Sequence, residues 1–404
     1  MQSLSMYKLH TAKWFILVHC FCLVCLYSCK DDQNTTSSPE NDGLDSLPEE
    51  YTPPVAYWGF MDTTGRVVIT PQFDDVRPFC NGLAVVNVKG KWGAIDHRGS
   101  LVVPAVYAAL SDFNDNLALA LATTGEKYFI DKRNQKVLDC PFSDCQPFKG
   151  AFSVIRENEY AGIIDRSGKI ILKPVYAQIK ADENYAVTWD SDETASLVRL
   201  NDMHVMFKVE GQLFLPSENI FRYSEGNKIY YRHIRGNPIA GPFDAGSDLR
   251  DGFASVTIQG EVFMLLASGK LLKTPCTQMH YAGQQLWFCR QQDKYYTLLK
   301  TAKDSFATYG KAKCKAFTRF SDGLAGCMNA QEKWGYIDTS GMMVIKSELP
   351  LAWDAREGRI RTSGLLGYGY LNTRGKEIIP MQFFEARDFY EGKAAFQNFP
   401  ELSF

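Results

Sequence analysis

The chain has 404 residues, is 45% hydrophobic and 22% charged, and carries 44 Lys and Arg against 46 Asp and Glu. This is ordinary globular composition, which excludes a wholly disordered chain. The near-neutral balance leaves no electrostatic footprint for nucleic acid.

The first 28 residues are read as a lipoprotein signal peptide. Lys8 and Lys13 make a basic start, and no Asp or Glu occurs before Asp31. Residues 14–27 are apolar, a run of 14. That is short of the roughly 20 residues a membrane-crossing helix needs and suits a secretory apolar region. The run ends in Leu26-Tyr27-Ser28-Cys29, which resembles a bacterial lipobox and implies acylation of Cys29 after cleavage. Ordinary cleavage without lipid and an uncleaved anchor are the alternatives, and Met6 serves as well as Met1 for the start. Lys30-Asp31-Asp32 then resembles the short acidic surface-export signal of some Gram-negative lipoproteins. The expected location is the bacterial outer membrane, with cell-surface and periplasmic orientations both open.

Residues 29–54 read as a flexible tether: Ser, Pro, Asn and Asp without periodicity, Lys30 against seven acids. Of 11 cysteines, seven lie beyond Cys29: Cys80, Cys140, Cys145, Cys276, Cys289, Cys314 and Cys327. An odd number argues against a fully paired framework. Cys140 and Cys145 flank Pro141 and have the spacing of a local disulfide; Cys327 is read as a small buried hydrophobe.

From Trp58 onwards the chain repeats. Trp58 opens WGFMDTTGRVVITPQFDDVRPFCNGLAVV, and Trp92, 34 residues later, opens WGAIDHRGSLVVPAVYAALSDFNDNLALA. The frame returns as AGIIDRSGKIILKPVY from Ala161, WGYIDTSGMMVI from Trp334 and YGYLNTRGKEIIPMQFFEARDFYEGKAAF from Tyr368. It is clear over 55–180, worn over 181–315 and clear again over 316–404. Lys91-Trp92-Gly93 and Lys333-Trp334-Gly335-Tyr336-Ile337-Asp338 resemble the bacterial WG (KWG) repeat. The resemblance implies a β-rich repeat common on exported proteins, with no shared catalytic activity and no functional residues to carry over.

Each unit reads as three short strands and two turns. Asp-x-x-Gly is turn chemistry: Asp caps its own backbone and Gly takes the fourth position. A β-branched strand follows, closed by a Pro such as Pro71 that cannot donate to a ladder. The third strand is Gly-x-Ala-x-Val with period two. One such unit cannot bury its apolar face, so stacked copies are required. The expected fold is all-β: a tandem array of about ten three-stranded units of about 34 residues, an open solenoid or spiral. A closed propeller is the alternative; its blades usually take four strands and about 40–45 residues, which fits this period poorly.

No residue is assigned to catalysis, and neither a metal nor another cofactor is expected. Asp62, Asp96, Asp165 and Asp338 each occupy one turn position, with no recurring second carboxylate for acid–base work. Trp58, Trp92 and Trp334 could stack on sugars but suit the packing residue of each unit, with Gly beside them for close approach. In the worn stretch, Tyr230, Tyr231, Arg232 and Trp287 stand off the repeat frame and have the residue types of binding hot spots; the plainer reading is drift, with the rings in the core. The chain is read as a monomer that binds an unidentified protein or glycan and meets the membrane through its lipid. A scaffold or spacer in the envelope is the rival role.

Overall fold

A computed structural model describes residues 56–291 and 295–399; the signal peptide, the tether and Cys29 lie outside them. The described residues form one compact unit, so the worn stretch is not a domain of its own. The strands make ten antiparallel sheets, eight of four strands and two of three. Chain order gives blade 2 (75–107), blade 3 (109–139), blade 4 (144–176), blade 5 (178–210), blade 6 (220–243), blade 7 (245–273), blade 8 (278–314), blade 9 (316–349) and blade 10 (359–383). Blade 6 has a rudimentary fourth edge, where Leu213 bridges Tyr223.

Blade 1 closes the ring. Trp58–Asp62 and Val67–Phe73 from the start of the fold join Glu385–Ala386 and Lys393–Gln397 from its end. All five residues of Trp58–Asp62 pair with Lys393–Gln397 in unbroken register. The buried side chains confirm closure. Among the described residues they fall into ten clusters, each between consecutive blades, and the tenth joins Tyr370, Ile379 and Phe383 of blade 10 to Met61 and Phe396 of blade 1. An open stack of ten would have nine junctions. The molecule is a ten-bladed β-propeller, and the expected open array of three-stranded units is wrong in both strand number and closure.

Two physical facts explain the error. The first strand of most blades is only two residues long, such as Asp75–Val76 in blade 2 and Glu385–Ala386 in blade 1, so four strands fit a period that seemed to allow three. The sequence unit also straddles two blades. Its Trp-Gly strand is the third strand of one blade, and its Gly-x-Ala-x-Val strand is the second strand of the next. Both faces of the second strand are covered by neighbouring blades, so Ala84, Val85, Val86 and Asn87 are all buried.

The Gly of the Trp-Gly pair has a local cause. In blade 2, Trp92 pairs with Tyr107 but Ala94 with Val103, so the fourth strand bulges opposite Gly93. A Cβ on Gly93 would sit 2.5 Å from the Val103 carbonyl oxygen. Gly59, Gly162, Gly335 and Gly369 face the same bulge in blades 1, 4, 9 and 10. Blades 5 and 7 pair in regular register there and hold Ser196 and Phe263 in that slot. Blade 6 keeps the bulge but moves the glycine across: Tyr230 fills the slot, and a Cβ on the facing Gly241 would meet its ring at 2.6 Å.

The local disulfide suggested for Cys140–Cys145 is present, and two further disulfides, Cys276–Cys289 and Cys314–Cys327, correct the rest of the cysteine reading. The last two share a separation of 13 residues. Phe73 and Val86 have the same spacing and lie in one cluster, and the Phe383 ring packs at a tilt against Phe396, 4.9 Å between centres. Blades 8 and 9 thus replace an interstrand apolar pair with a covalent bond. Cys327 is buried, but as half of a disulfide; Cys80 is the free thiol of the seven.

Candidate functional site

Nine of the ten blades carry a two-residue hairpin leading into the strand next to the Trp-Gly strand, and blade 5 turns at Asp182 instead. In blade 2 Cys80 and Leu83 exchange backbone hydrogen bonds around Asn81-Gly82, both at positive φ, the twist a tight hairpin requires. Equivalent tips occur at Asp115-Asn116, Glu218-Asn219, Asp251-Gly252, Asp322-Gly323, Glu357-Gly358 and Glu391-Gly392. The acids at these tips reach the next blade. Glu391 accepts the Gly82 N–H at 3.0 Å, Asp115 that of Gly150 at 3.1 Å and Glu218 that of Gly252 at 2.7 Å. Asp251 accepts from Gln285 at 2.6 Å, Asp322 from Gly358 at 2.8 Å and Glu357 from Gly392 at 2.9 Å.

First strands add a second relay of charge. Arg387 contacts Asp75, Arg77 contacts Asp112, Arg222 contacts Asp248, and Arg361 contacts the half-buried Asp388. Burial raises the Asp388 carboxyl above its ordinary pKa, and Arg361 and Arg356 only partly oppose it.

Two clefts open among the hairpin tips. One, about 700 Å³, is lined by Asn81, Asp115, Gly150, Glu183 and Leu215 among others. Side chains of blades 2 to 5, and Leu215 just before blade 6, reach a cleft of this size together only where the blades converge, so the tips face the centre of the ring. The other, about 710 Å³, lies over blades 6 to 9. Its walls hold Tyr281, Trp287, Phe317 and Phe320, with His280 at the edge and Arg250 and Arg319 exposed. Burial and a 2.6 Å hydrogen bond to Asp251 push the Tyr281 phenol up to about 12. Desolvation among the rings of Tyr296 and Phe317 lowers the His280 pKa. Arg250 and Arg319 have no acidic partner among the described residues.

The residues singled out from sequence do not assemble into one site. Tyr230 packs between blades 5 and 6, Tyr231 between 6 and 7, and Trp287 between 7 and 8. Tyr231 is 2% exposed and donates its hydroxyl to the Ser247 carbonyl; Arg232 lies over the Phe207 ring. Trp287 is 1% exposed, yet it lines the second cleft, and its indole Nε1 is buried without an acceptor. Trp58 is buried beneath the Arg387 guanidinium, 3.9 Å from the ring centre, while Trp92 and Trp334 are half-buried. Asp62, Asp96, Asp165 and Asp338 each accept the N–H groups two and four residues ahead. Hydrogen bonds from Thr64 and Ser167 hold Asp62 and Asp165 below the usual carboxylate range. Among the described residues no His, Cys, Asp and Glu side chains group to hold a metal ion. Sequence reading missed Arg250, Arg319 and Phe320, whose only signal was their place beside a hairpin tip.

Comparison with known proteins agrees with the repeat frame. No curated protein matches the chain. Solved structures similar to it include the computationally designed Ika8 protein (14% identity, 65% of this chain and 95% of that one, TM-score 0.33). BamB from Moraxella catarrhalis (9%, 80% and 96%, 0.31) and AztD from Citrobacter koseri (12%, 86% and 100%, 0.33) are also similar. The family described as WG containing repeat matches residues 58–92, 92–128, 162–187, 334–362 and 368–398. Each match opens at or beside the bulge glycine of blade 1, 2, 4, 9 or 10, so the chain carries WG containing repeats at five positions in a β-rich ring.

Proposed function

We propose that the ring is a non-catalytic binding platform, exported and held on the membrane by a lipid at Cys29, and that its partner docks on the face bearing the hairpin tips. The cleft over blades 6 to 9 carries this reading: aromatic walls and two unpaired guanidinium groups stand where the repeat departs most from its motif. A concave site with a few convergent polar groups is the usual form of a ligand pocket. The three disulfides support an exported, oxidising location. The test places a photo-crosslinking residue at Arg319 in the full chain, in intact cells. Capture of one species there, and none from an equivalent probe at Lys173 on the outer edge, is the expected result. Equal capture at both positions overturns the reading. Cys29→Ser should release the protein from the membrane fraction; retention with an unchanged N-terminus overturns the lipid anchor.

A further inference from the structure

Charge in the second cleft balances. Glu218, Asp248 and Asp251 line it with Arg250 and Arg319, and Asp248 is already paired from outside the lining by Arg222 at 2.7 Å, which leaves two acids against two guanidinium groups. Desolvation pushes His280 towards its neutral form. The free hydrogen-bonding capacity is therefore mixed: guanidinium donors without partners, and carboxylates whose second oxygens remain open. The walls are aromatic. Phe317 stacks on Phe288 at 3.8 Å and Tyr281 meets Trp287 edge-on at 5.3 Å, while Tyr281, Phe317 and Phe320 stay half-buried. A half-buried ring offers a flat, electron-rich face to C–H groups. The buried Nε1 of Trp287 leaves a polar demand unmet in the same wall, which native proteins seldom leave outside functional sites.

The walls are also braced. Cys276–Cys289 flanks Met279 to Trp287, and Cys314–Cys327 flanks Phe317 to Phe320. A braced site loses little conformational entropy on binding. Its volume, about 710 Å³, lies within the range of small-ligand pockets, whereas a stable protein interface takes about 800 Å² per partner.

We propose that this cleft binds an uncharged saccharide, with the C–H face of a sugar ring on the half-buried aromatics and its hydroxyls on Arg250, Arg319 and the open oxygens of Glu218 and Asp251. This rests on reading the ring as a binding protein.

The experiment screens the full chain, purified in detergent, against an array of neutral and acidic oligosaccharides, then titrates hits by calorimetry. Binding of a neutral oligosaccharide is expected. Phe320→Ala and, separately, Arg319→Ala should each weaken it roughly tenfold, about 1.4 kcal/mol, while Lys149→Ala in the other cleft leaves it unchanged. Arg319 is exposed and unpartnered, so its variant folds even where Phe320→Ala does not. Binding of acidic saccharides alone, lost in Arg250→Ala and Arg319→Ala, overturns the neutral assignment. No saccharide bound, but a protein crosslinked at position 319, overturns the saccharide and leaves the binding platform standing. Neither result overturns both.

Discussion

Blades 9, 10, 1 and 2 and blades 5 to 8 are the same ring built by different means. The first group keeps the bulge glycine, and its hairpin tips form an unbroken relay: Asp322 to Gly358, Glu357 to Gly392, Glu391 to Gly82. The second group drops the glycine from its slot, and at the junctions of blades 5 with 6 and 8 with 9 no tip acid accepts the next blade's N–H among the described residues. It holds its cores with aromatic clusters and, in blade 8 and at its join to blade 9, with disulfides. The difference teaches that the WG motif records one bulge and its packing, not the propeller itself. Where register becomes regular, as in blades 5 and 7, or the glycine moves across the bulge, as in blade 6, the motif goes and the blade remains.

The sharpest way to break this comparison is to fill the glycine slot. Gly93→Ala puts a Cβ against backbone that cannot rotate away. It should cost about 4 kcal/mol, at the destabilising extreme for a single methyl. Ser196→Ala, in the same slot of blade 5, should cost under about 1 kcal/mol. Denaturant unfolding of both variants decides it; equal losses would mean the bulge does not explain the glycine.

The disulfides come next. Each of Cys276–Cys289 and Cys314–Cys327 closes a short loop worth roughly 3 kcal/mol by chain entropy. Reductant should therefore speed hydrogen exchange in 276–327 first. The Phe383–Phe396 pair that fills the same spacing between blades 10 and 1 should stay protected. Uniform acceleration around the ring would show that the two halves do not differ in how they are held.

What was legible in the sequence was local. Asp-x-x-Gly turns, Pro71 at a strand end and the Gly-x-Ala-x-Val strand depend on neighbours a few residues away. Closure was not legible, because it pairs Trp58 with Gln397 across the whole fold, and nothing in either segment marks the other as partner. Two-residue first strands carry too little pattern to register as strands at all. Cys140–Cys145 was legible from its short spacing, but Cys276–Cys289 and Cys314–Cys327 hid behind an odd count, although their 13-residue spacing repeats that of Phe73 and Val86. At the candidate site, large aromatics drew attention to Tyr231, which is sealed inside a core, while the exposed Arg319 looked like any surface charge.

The tip relay predicts a smaller effect. Glu391→Ala removes the acceptor of Gly82 and the partner of His97 at the closing blade. It should cost about 1 kcal/mol. Glu183→Ala, at a tip without such a bond among the described residues, should cost nothing measurable. If both variants melt alike, the relay contributes no stability and its regularity is only geometric.

The smallest expected effect is a pH dependence confined to the worn half. His280 sits at the surface against Tyr296 and Phe317, and partial desolvation there lowers its pKa below 6.5. The unfolded chain therefore takes up this proton at higher pH than the folded one. Stability from this group is complete above about pH 6.5, falls as the pH drops through the unfolded value, and levels off below the folded one. Turn acids such as Asp62 and Asp165 stay ionised throughout that window, because their pKa values are held below 3.8. Melting of wild type between pH 7.5 and pH 5.5 should accordingly drop more than melting of His280→Gln. Blade 8 should open first, seen as exchange in 278–290. A wild-type drop matched by the variant would assign the dependence to other histidines and remove His280 as a difference between the two halves.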